Sequence, residues 1–155
     1  MTFCQYYSNF INMARVKIEL PPSVLFTAQY KVSITDINYG NHLGNDRVLA
    51  IAHESRMQFF RSLGITDEKK VDGVVGIIMA DAAVIFRAEA FHGDDLLIEL
   101  GLTDPGSSGF DMIFRILRKV DAKEIALVKA GIVTFNYESR RVVRMPEGFT
   151  KKLGF

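Results

Sequence analysis

Cysteine, net charge and long apolar runs are all scarce in this sequence, and each scarcity excludes a class of protein. The 155 residues include one cysteine, Cys4, so neither an internal disulfide nor a cysteine-based metal cage can form. This pattern fits a reducing compartment, and we expect a cytoplasmic protein with no metal and no cofactor. The 19 basic and 18 acidic side chains give a net charge of +1. Because such a surface attracts polyanions only weakly, we expect no nucleic-acid partner and no membrane partner.

Apolar runs, repeats and linkers are also missing. A membrane-spanning helix needs a run of ~18 apolar residues. The run that comes nearest to this length covers residues 74–79, which is enough for a strand only. No internal repeat or block of like charge divides the chain, so we expect one globular domain at residues 13–155. Residues 1–12 are expected to form an extension, since Met13 opens a stretch typical of a natural start. These twelve residues lack the basic and apolar regions of a signal peptide.

Hydrophobic periodicity predicts a strand, a shaped loop and a long helix. Apolar and polar side chains alternate over residues 24–35, which is typical of a half-buried strand. Residues 36–45 contain two glycines and three asparagines, residue types that favour turns and helix caps. Over residues 46–63 the apolar side chains share one third of a helical wheel, and Gly64 supplies a stop. We therefore predict an amphipathic helix of about five turns.

The remaining chain is predicted to form strands in a meander. One long, bulged strand covers residues 74–79 and 82–91, and three more cover residues 96–103, 110–120 and 125–137. One helix laid against an antiparallel sheet of about five strands is an α+β architecture.

Arg56 lies inside the apolar arc of the predicted helix, where an unpaired charge is costly. We expect it either to have a buried carboxylate partner, for which Asp36 is the candidate, or to extend its guanidinium to solvent. Glu54 lies on the opposite side of the helix and is expected in solvent or at a protomer interface.

Three polar motifs follow one another along the chain. The loop has Asp36, Asn38, His42 and Asn45, the helix has Glu54-Ser55-Arg56, and a strand ends in Phe86-Arg87-Ala88-Glu89 before Gly93-Asp94. In this order the motifs resemble those of hotdog-fold thioesterases of the 4-hydroxybenzoyl-CoA thioesterase type, whose loop reads approximately D-x-D-x-x-x-H-V-N-N. The chain is also similar to small bacterial proteins described as acyl-CoA thioesterase-like.

The resemblance implies a hotdog fold, in which a sheet wraps one long helix, and hydrolysis of acyl-CoA or acyl-carrier thioesters. It also implies a homodimer or homotetramer with sites between protomers. In the 4-hydroxybenzoyl-CoA type the catalytic carboxylate is the second Asp of the loop, where this chain has Asn38. Plant acyl-ACP thioesterases, which are more distant, have Asp, Asn, His and Glu where this chain has Asn38, Gly40, His42 and Glu89.

The predicted catalytic residues are Asn38, His42, Asn45 and Glu89. Thioester hydrolysis requires an activated water and donors that stabilise the oxyanion. The backbone amides of Gly44 and Asn45, at the helix N-terminus, suit the thioester oxygen. His42 can orient water, donate to the carbonyl or act as a base, and its alternative role is to stabilise the loop.

Asn38 and Glu89 each have two interpretations. Asn38 either positions water and donates to the carbonyl or forms an Asx turn, and its amide can serve neither as nucleophile nor as base. If Asn38 is a weakened form of the family's Asp, Asn38→Asp preserves or raises hydrolysis; if the amide donor is needed, that variant is inactive. Glu89 has apolar neighbours, so it is either a desolvated general base or a surface glutamate.

Substrate binding is assigned to six residues of the loop and the strands: Asp36, Tyr39, Gly44, Arg115, Arg118 and Lys119. The three basic side chains suit the phosphates of a coenzyme A thioester, as do three arginines near the C-terminus, although ordinary solvation explains such residues equally well. Two further functions remain open: a non-catalytic acyl-thioester binding protein, which the amide of Asn38 would suit, and a hotdog-fold hydratase or dehydratase.

Overall fold

Two helices and six strands follow one another in the computed structural model, which describes residues 15–155. They are β1 (Phe26–Lys31), α1 (Asn45–Ser62), β2 (Val75–Phe86), β3 (Asp95–Thr103), β4 (Gly109–Arg118), β5 (Lys123–Asn136), β6 (Arg141–Val142) and α2 (Glu147–Leu153). A short 3-10 turn, Ile34–Asp36, lies between β1 and α1. The predicted extension at residues 1–12 lies outside the described residues.

The long helix lies within one residue of the predicted range at each end. The predicted bulge in the long strand is confirmed, since the register between β2 and β5 shifts between Met79 and Asp81. The first strand ends at Lys31, earlier than its alternation suggests, because the carboxylate of Asp36 accepts a hydrogen bond from the Ser33 amide and turns the chain. Periodicity describes which side chains are buried, whereas a side chain to backbone bond decided where this strand stops.

The strand order is β1-β3-β4-β5-β2, with β6 paired to β5. The predicted meander of four strands is therefore wrong in one respect: β3, β4 and β5 follow one another, but β2 pairs with β5 rather than β3. Alternation of apolar residues specifies a buried face and not a pairing partner, so the sequence pattern did not contain this information. The crossing segment, residues 87–94, carries the chain from β2 to β3 on the other side of the sheet.

The helix α1 packs against β1, β3 and β5 and forms the core with them. Phe26 of β1 contacts Phe59 of α1, with ring centroids 5.8 Å apart. The short helix α2 was not predicted, because its seven residues are too few to show a helical period. Its Phe149 is fully buried and lies 6.1 Å from the rings of both Phe60 and Phe110. The architecture is α+β, with five long strands and a two-residue sixth.

Arg56 has a carboxylate partner as expected, but the partner is the partly buried Glu68 and not Asp36. The two side chains form a bidentate pair, with Nε 2.6 Å from Oε1 and Nη2 3.2 Å from Oε2. Asp36 lies at the N-terminal end of α1, whereas Arg56 lies eleven residues after Asn45, roughly 16 Å along the helix axis. The separation along the helix excludes the predicted pair. Glu54 is exposed, as expected, and accepts a hydrogen bond from Gln58 at 3.1 Å.

Neither described helix is both long enough and apolar enough to cross a membrane.

Candidate active site

The loop before α1 is anchored by a buried carboxylate. Asp36 Oδ2 accepts hydrogen bonds from the Ser33 amide at 2.8 Å, the Ser33 hydroxyl at 2.9 Å and the Tyr30 hydroxyl at 2.8 Å. Burial opposes the charged form, yet these hydrogen bonds outweigh it and lower the pKa of Asp36 below its ordinary value. Burial, together with the hydrogen bond to Asp36, raises the pKa of Tyr30. This cluster holds the start of the loop in place.

Asn38 closes the loop through its backbone and its side chain. Its amide donates to the carbonyl of His42 at 2.9 Å, and its carbonyl accepts from the amide of Asn41 at 3.0 Å. Its side-chain Oδ1 accepts from the amide of Gly40 at 2.9 Å, which is the geometry of an Asx turn. The Asx-turn interpretation of Asn38 is therefore confirmed.

Gly40 allows the polar side chains of this loop to approach each other. A Cβ atom at this position would lie 3.0 Å from His42 Nε2 and 3.1 Å from Asn38 Oδ1. Both distances are tighter than almost all contacts of real Cβ atoms. The absence of a side chain at Gly40 thus permits this arrangement of Asn38 and His42.

The crossing segment forms the opposite wall of the site. The amide of Leu43 donates to the carbonyl of Ala90 at 2.8 Å, which ties the loop to this segment. Arg118 Nη1 donates to the carbonyl of Glu89 at 3.3 Å. The amides of Arg87 and Ala88 both donate to the carbonyl of Ile125 in β5, at 2.9 and 3.2 Å. Glu89 therefore lies outside a strand but on a backbone held at four successive residues, 87–90.

A pocket of about 520 Å³ lies between the loop, the N-terminus of α1 and the crossing segment. All four residues predicted to be catalytic, Asn38, His42, Asn45 and Glu89, line it. Its remaining lining is mostly apolar and consists of Leu43, Val48, Phe86, Ala88, Ala90 and Ile125, with Arg87 the one further charged residue. A few converging polar groups in a mainly apolar cleft are typical of a small-molecule site.

His42 is oriented by its neighbours. Its Nδ1 lies 3.1 Å from the carbonyl oxygen of Leu43, which can only accept, so Nδ1 carries the proton. In the neutral ring Nε2 is then an acceptor, and it lies 3.9 Å from Glu89 Oε1. The side chain of Glu89 is 64% exposed in the single chain. Of the two interpretations of Glu89, the surface glutamate describes the single chain, because the crossing segment leaves the strand before this residue.

The N-terminus of α1 offers fewer donors than expected. The amide of Gly44 already donates to the carbonyl of Asp36 at 2.8 Å, so the prediction that it serves the substrate is wrong. The amide of Asn45, the first residue of α1, has no hydrogen-bond acceptor among the described residues. Of the two amides predicted to bind the thioester oxygen, the amide of Asn45 is therefore the one that remains available to a ligand.

The six residues predicted to bind substrate lie outside this pocket. Asp36 is buried in the anchor, and Tyr39 is fully exposed at the tip of the loop. Lys119 is also exposed, beyond the end of β4. The sequence pattern identified the correct loop, but it contained no information on which way each side chain points.

The two predicted arginines are held in ion pairs on the sheet. Arg115 Nε lies 2.9 Å from Glu124, and Arg118 forms a bidentate pair with Asp121 at 3.0 and 2.7 Å. The hydrogen bond from Arg118 lowers the pKa of Asp121 to about 2. The arginine that does line the pocket is Arg87, which lies two residues before Glu89 in the third motif, and that spacing was the available signal.

One long helix packed on an antiparallel sheet, with a mainly apolar pocket at its N-terminus, is the hotdog fold. The profile of the Thioesterase-like superfamily matches residues 32–153, and the chain belongs to this superfamily. A search of curated proteins finds no match.

Solved structures share the fold at low sequence identity. A 1,4-dihydroxy-2-naphthoyl-CoA thioesterase from Synechocystis is 20% identical and has a TM-score of 0.76, with 83% of this chain and 95% of that chain covered. A Staphylococcus aureus protein solved in complex with CoA is 16% identical and has a TM-score of 0.77, with 89% and 86% covered. A gentisyl-coenzyme A thioesterase is 16% identical and has a TM-score of 0.73, with 83% and 99% covered.

Proposed function

We propose that the protein hydrolyses acyl-CoA thioesters to a free acid and the CoA thiol. The observation that carries this proposal is that His42, Asn38, Glu89 and the free amide of Asn45 all line one pocket. Thioester hydrolysis needs this combination of a proton acceptor and hydrogen-bond donors around one carbonyl. The CoA bound to the Staphylococcus aureus structure and the thioesterases among the similar structures support the same substrate class.

In the proposed reaction, His42 Nε2 accepts a proton from water while the water oxygen attacks the thioester carbon. The π electrons of the carbonyl move to its oxygen, which the Asn45 amide stabilises. The electron pair on this oxygen then re-forms the carbonyl as the C–S bond breaks and its electron pair leaves with sulfur. The proton held by His42 converts the thiolate into the CoA thiol, and the acid is released. Glu89, 3.9 Å from Nε2, stabilises the imidazolium that exists between these two steps.

The proposed enzyme is a homo-oligomer, because β2 leaves apolar surface uncovered. Among the described residues β2 pairs with β5 alone, and its other edge is covered at Val75 and Ile77, which bond to Asp72 and Glu68, and is open beyond them. Met79 and Phe86 share a face with the buried Ile132 and Ala126 of β5, yet they are 44% and 54% exposed. An unpaired strand edge with apolar side chains favours association with a second copy. A homodimer pairing at β2 would bring the partner close to Phe86 at the rim of the pocket.

The first test is thiol release from acyl-CoAs of increasing chain length plus an aromatic acyl-CoA. We expect turnover on at least one, and a loss of about 10²-fold or more in kcat for Glu89→Gln. Glu54→Gln is the matched control, since Glu54 is exposed on α1 and outside the pocket, and it should retain the wild-type rate. An equally large loss in both variants would contradict the role of Glu89.

A second candidate function is acyl-thioester binding without turnover. Two observations favour it: Asn38 occupies the position of the catalytic carboxylate of the 4-hydroxybenzoyl-CoA type, and Glu89, the carboxylate that lines the pocket, is largely exposed. No thiol release across the panel, together with a rise in melting temperature on adding acyl-CoA, would support this function over hydrolysis.

A further inference from the structure

The hydrogen bonds of Asn38 determine which end of its amide is available to a ligand. The Gly40 amide can only donate, so the atom that it bonds at 2.9 Å must be the side-chain oxygen of Asn38. The remaining polar atom of the side chain is Nδ2, a donor. Nδ2 has no acceptor among the described residues, although Asn38 lines the pocket.

The other polar atoms of the pocket leave one role unfilled. The Gly44 amide is bound to Asp36, so Asn45 is the pocket-lining residue of α1 whose backbone amide has no acceptor among the described residues. His42 presents an acceptor, because Leu43 holds its Nδ1 proton, and Glu89 is an acceptor as well. Arg87 also lines the pocket, but its Nε faces Glu124 at 3.4 Å in an ion pair. A developing oxyanion is stabilised by more than one donor, and a second donor is needed beside Asn45.

We propose that Asn38 Nδ2 is this second donor, so that Asn38 binds the thioester carbonyl oxygen together with the Asn45 amide. This inference rests on the proposed thioesterase function. The inference assigns two roles in the pocket. Asn38 and Asn45 donate to the carbonyl oxygen, whereas His42 accepts the proton of the attacking water and Glu89 stabilises the resulting imidazolium. Asn38 is then not a weakened carboxylate. A carboxylate at this position would place an acceptor where negative charge develops.

The proposal reverses one expectation for the variant Asn38→Asp. Aspartate has nearly the same shape and can still accept from Gly40, so the turn is retained, but it has no donor at neutral pH. We expect kcat to fall by about 10²-fold or more, the usual effect of removing one oxyanion donor, with KM changed much less. A control in the same loop is Asn41→Asp, which makes the same chemical change at an exposed residue with φ of 64° outside the pocket.

A second measurement reports the hydrogen bond itself. The probe is an octanoyl-CoA analogue in which a methylene group replaces the sulfur and the carbonyl carbon is ¹³C. Hydrogen-bond donation moves the ¹³C resonance of a carbonyl downfield. We expect the resonance of the bound probe to lie further downfield in the wild type and Asn41→Asp than in Asn38→Asp. A change confined to loop stability would not produce this difference.

The outcomes separate this inference from the proposed function. Wild-type or higher kcat in Asn38→Asp overturns the donor role while hydrolysis itself stands. An identical carbonyl resonance in the wild type and Asn38→Asp also overturns it. If the wild type turns over none of the thioesters, the proposed function fails, and a downfield resonance that depends on Asn38 would still support donation to a bound carbonyl.

Discussion

At the scale of single residues, the pocket depends on atoms whose direction is set by neighbouring hydrogen bonds. Leu43 fixes the proton of His42 on Nδ1, and Gly40 fixes the oxygen of Asn38, so each side chain presents a defined group. Both constraints come from backbone groups within two residues. The chemistry available in the pocket is therefore determined largely by the local geometry of one loop.

Gly40 provides a test of that geometry. A methyl group at this position would press on His42 Nε2 and Asn38 Oδ1, so both must shift by a few tenths of an ångström. Because small displacements of reacting groups are costly, we expect Gly40→Ala to lower kcat roughly tenfold or more with little change in melting temperature. Gly106→Ala is the control, since a Cβ there meets one atom at an ordinary 3.5 Å. Equal kcat in the wild type and Gly40→Ala would show that the close packing of His42 and Asn38 around Gly40 is not needed for catalysis.

At the scale of elements, the buried carboxylate of Asp36 connects β1 to the N-terminus of α1. Its three hydrogen bonds come from Tyr30 in β1 and from Ser33 after it, and its carbonyl accepts from Gly44 immediately before the helix. Asp36, which was predicted to bind substrate, thus has a structural role. This anchor explains why the loop can hold Asn38 and His42 in fixed positions.

The anchor predicts a dependence of stability on pH. Because the folded-state pKa of Asp36 is lowered, its charge stabilises the fold fully above the unfolded pKa of about 4, and the contribution is lost as pH falls through the folded value. We expect Asp36→Asn to reduce the free energy of unfolding at pH 7 by about 1–3 kcal/mol. Chemical denaturation from pH 7 to pH 2.5 should show the difference shrinking below pH 4. Asp104→Asn, an exposed control, should show neither effect; a difference independent of pH would contradict the charge-based explanation.

At the scale of the whole molecule, the pocket and the open part of the β2 edge are neighbours. Phe86 ends β2, lines the pocket and is half exposed on an uncovered part of the sheet face against which α1 packs. A second copy seated along β2 would cover this surface and lower the exposure of groups at the rim. Association and catalysis are therefore expected to be linked in this protein.

The proposed association is tested at Met79, which is 44% exposed on the same sheet face. We expect the wild type to sediment as a dimer or tetramer and Met79→Glu to shift it towards the monomer, because burying an unpaired charge at an interface is costly. Val120→Glu is the control: Val120 is 86% exposed in the turn after β4, so the variant should keep the wild-type state. A monomeric wild type would contradict the proposal.

Some residues of the site could be predicted from short motifs in the sequence. The motif around residues 36–45 and the third motif around Glu89 identified Asn38, His42, Asn45 and Glu89 before any fold was known, and all four line one pocket. Gly44 and Asp36 show the limit of this approach. Their backbone groups bond to each other across eight residues, and no spacing rule distinguishes an amide that is free from one that is occupied.

The sequence by itself determined the α+β class, the bounds of α1 to within one residue and the bulge in β2, because each leaves a periodic trace in neighbouring residues. Only the tertiary structure decided that β2 lies beside β5, that Glu68 rather than Asp36 pairs with Arg56, and that Arg87 rather than Arg118 lines the pocket. The first is a contact between segments far apart in the chain. The other two are choices between residues of the same chemistry, which the sequence cannot distinguish. They follow from where the backbone turns and which way each side chain points, and periodicity encodes neither.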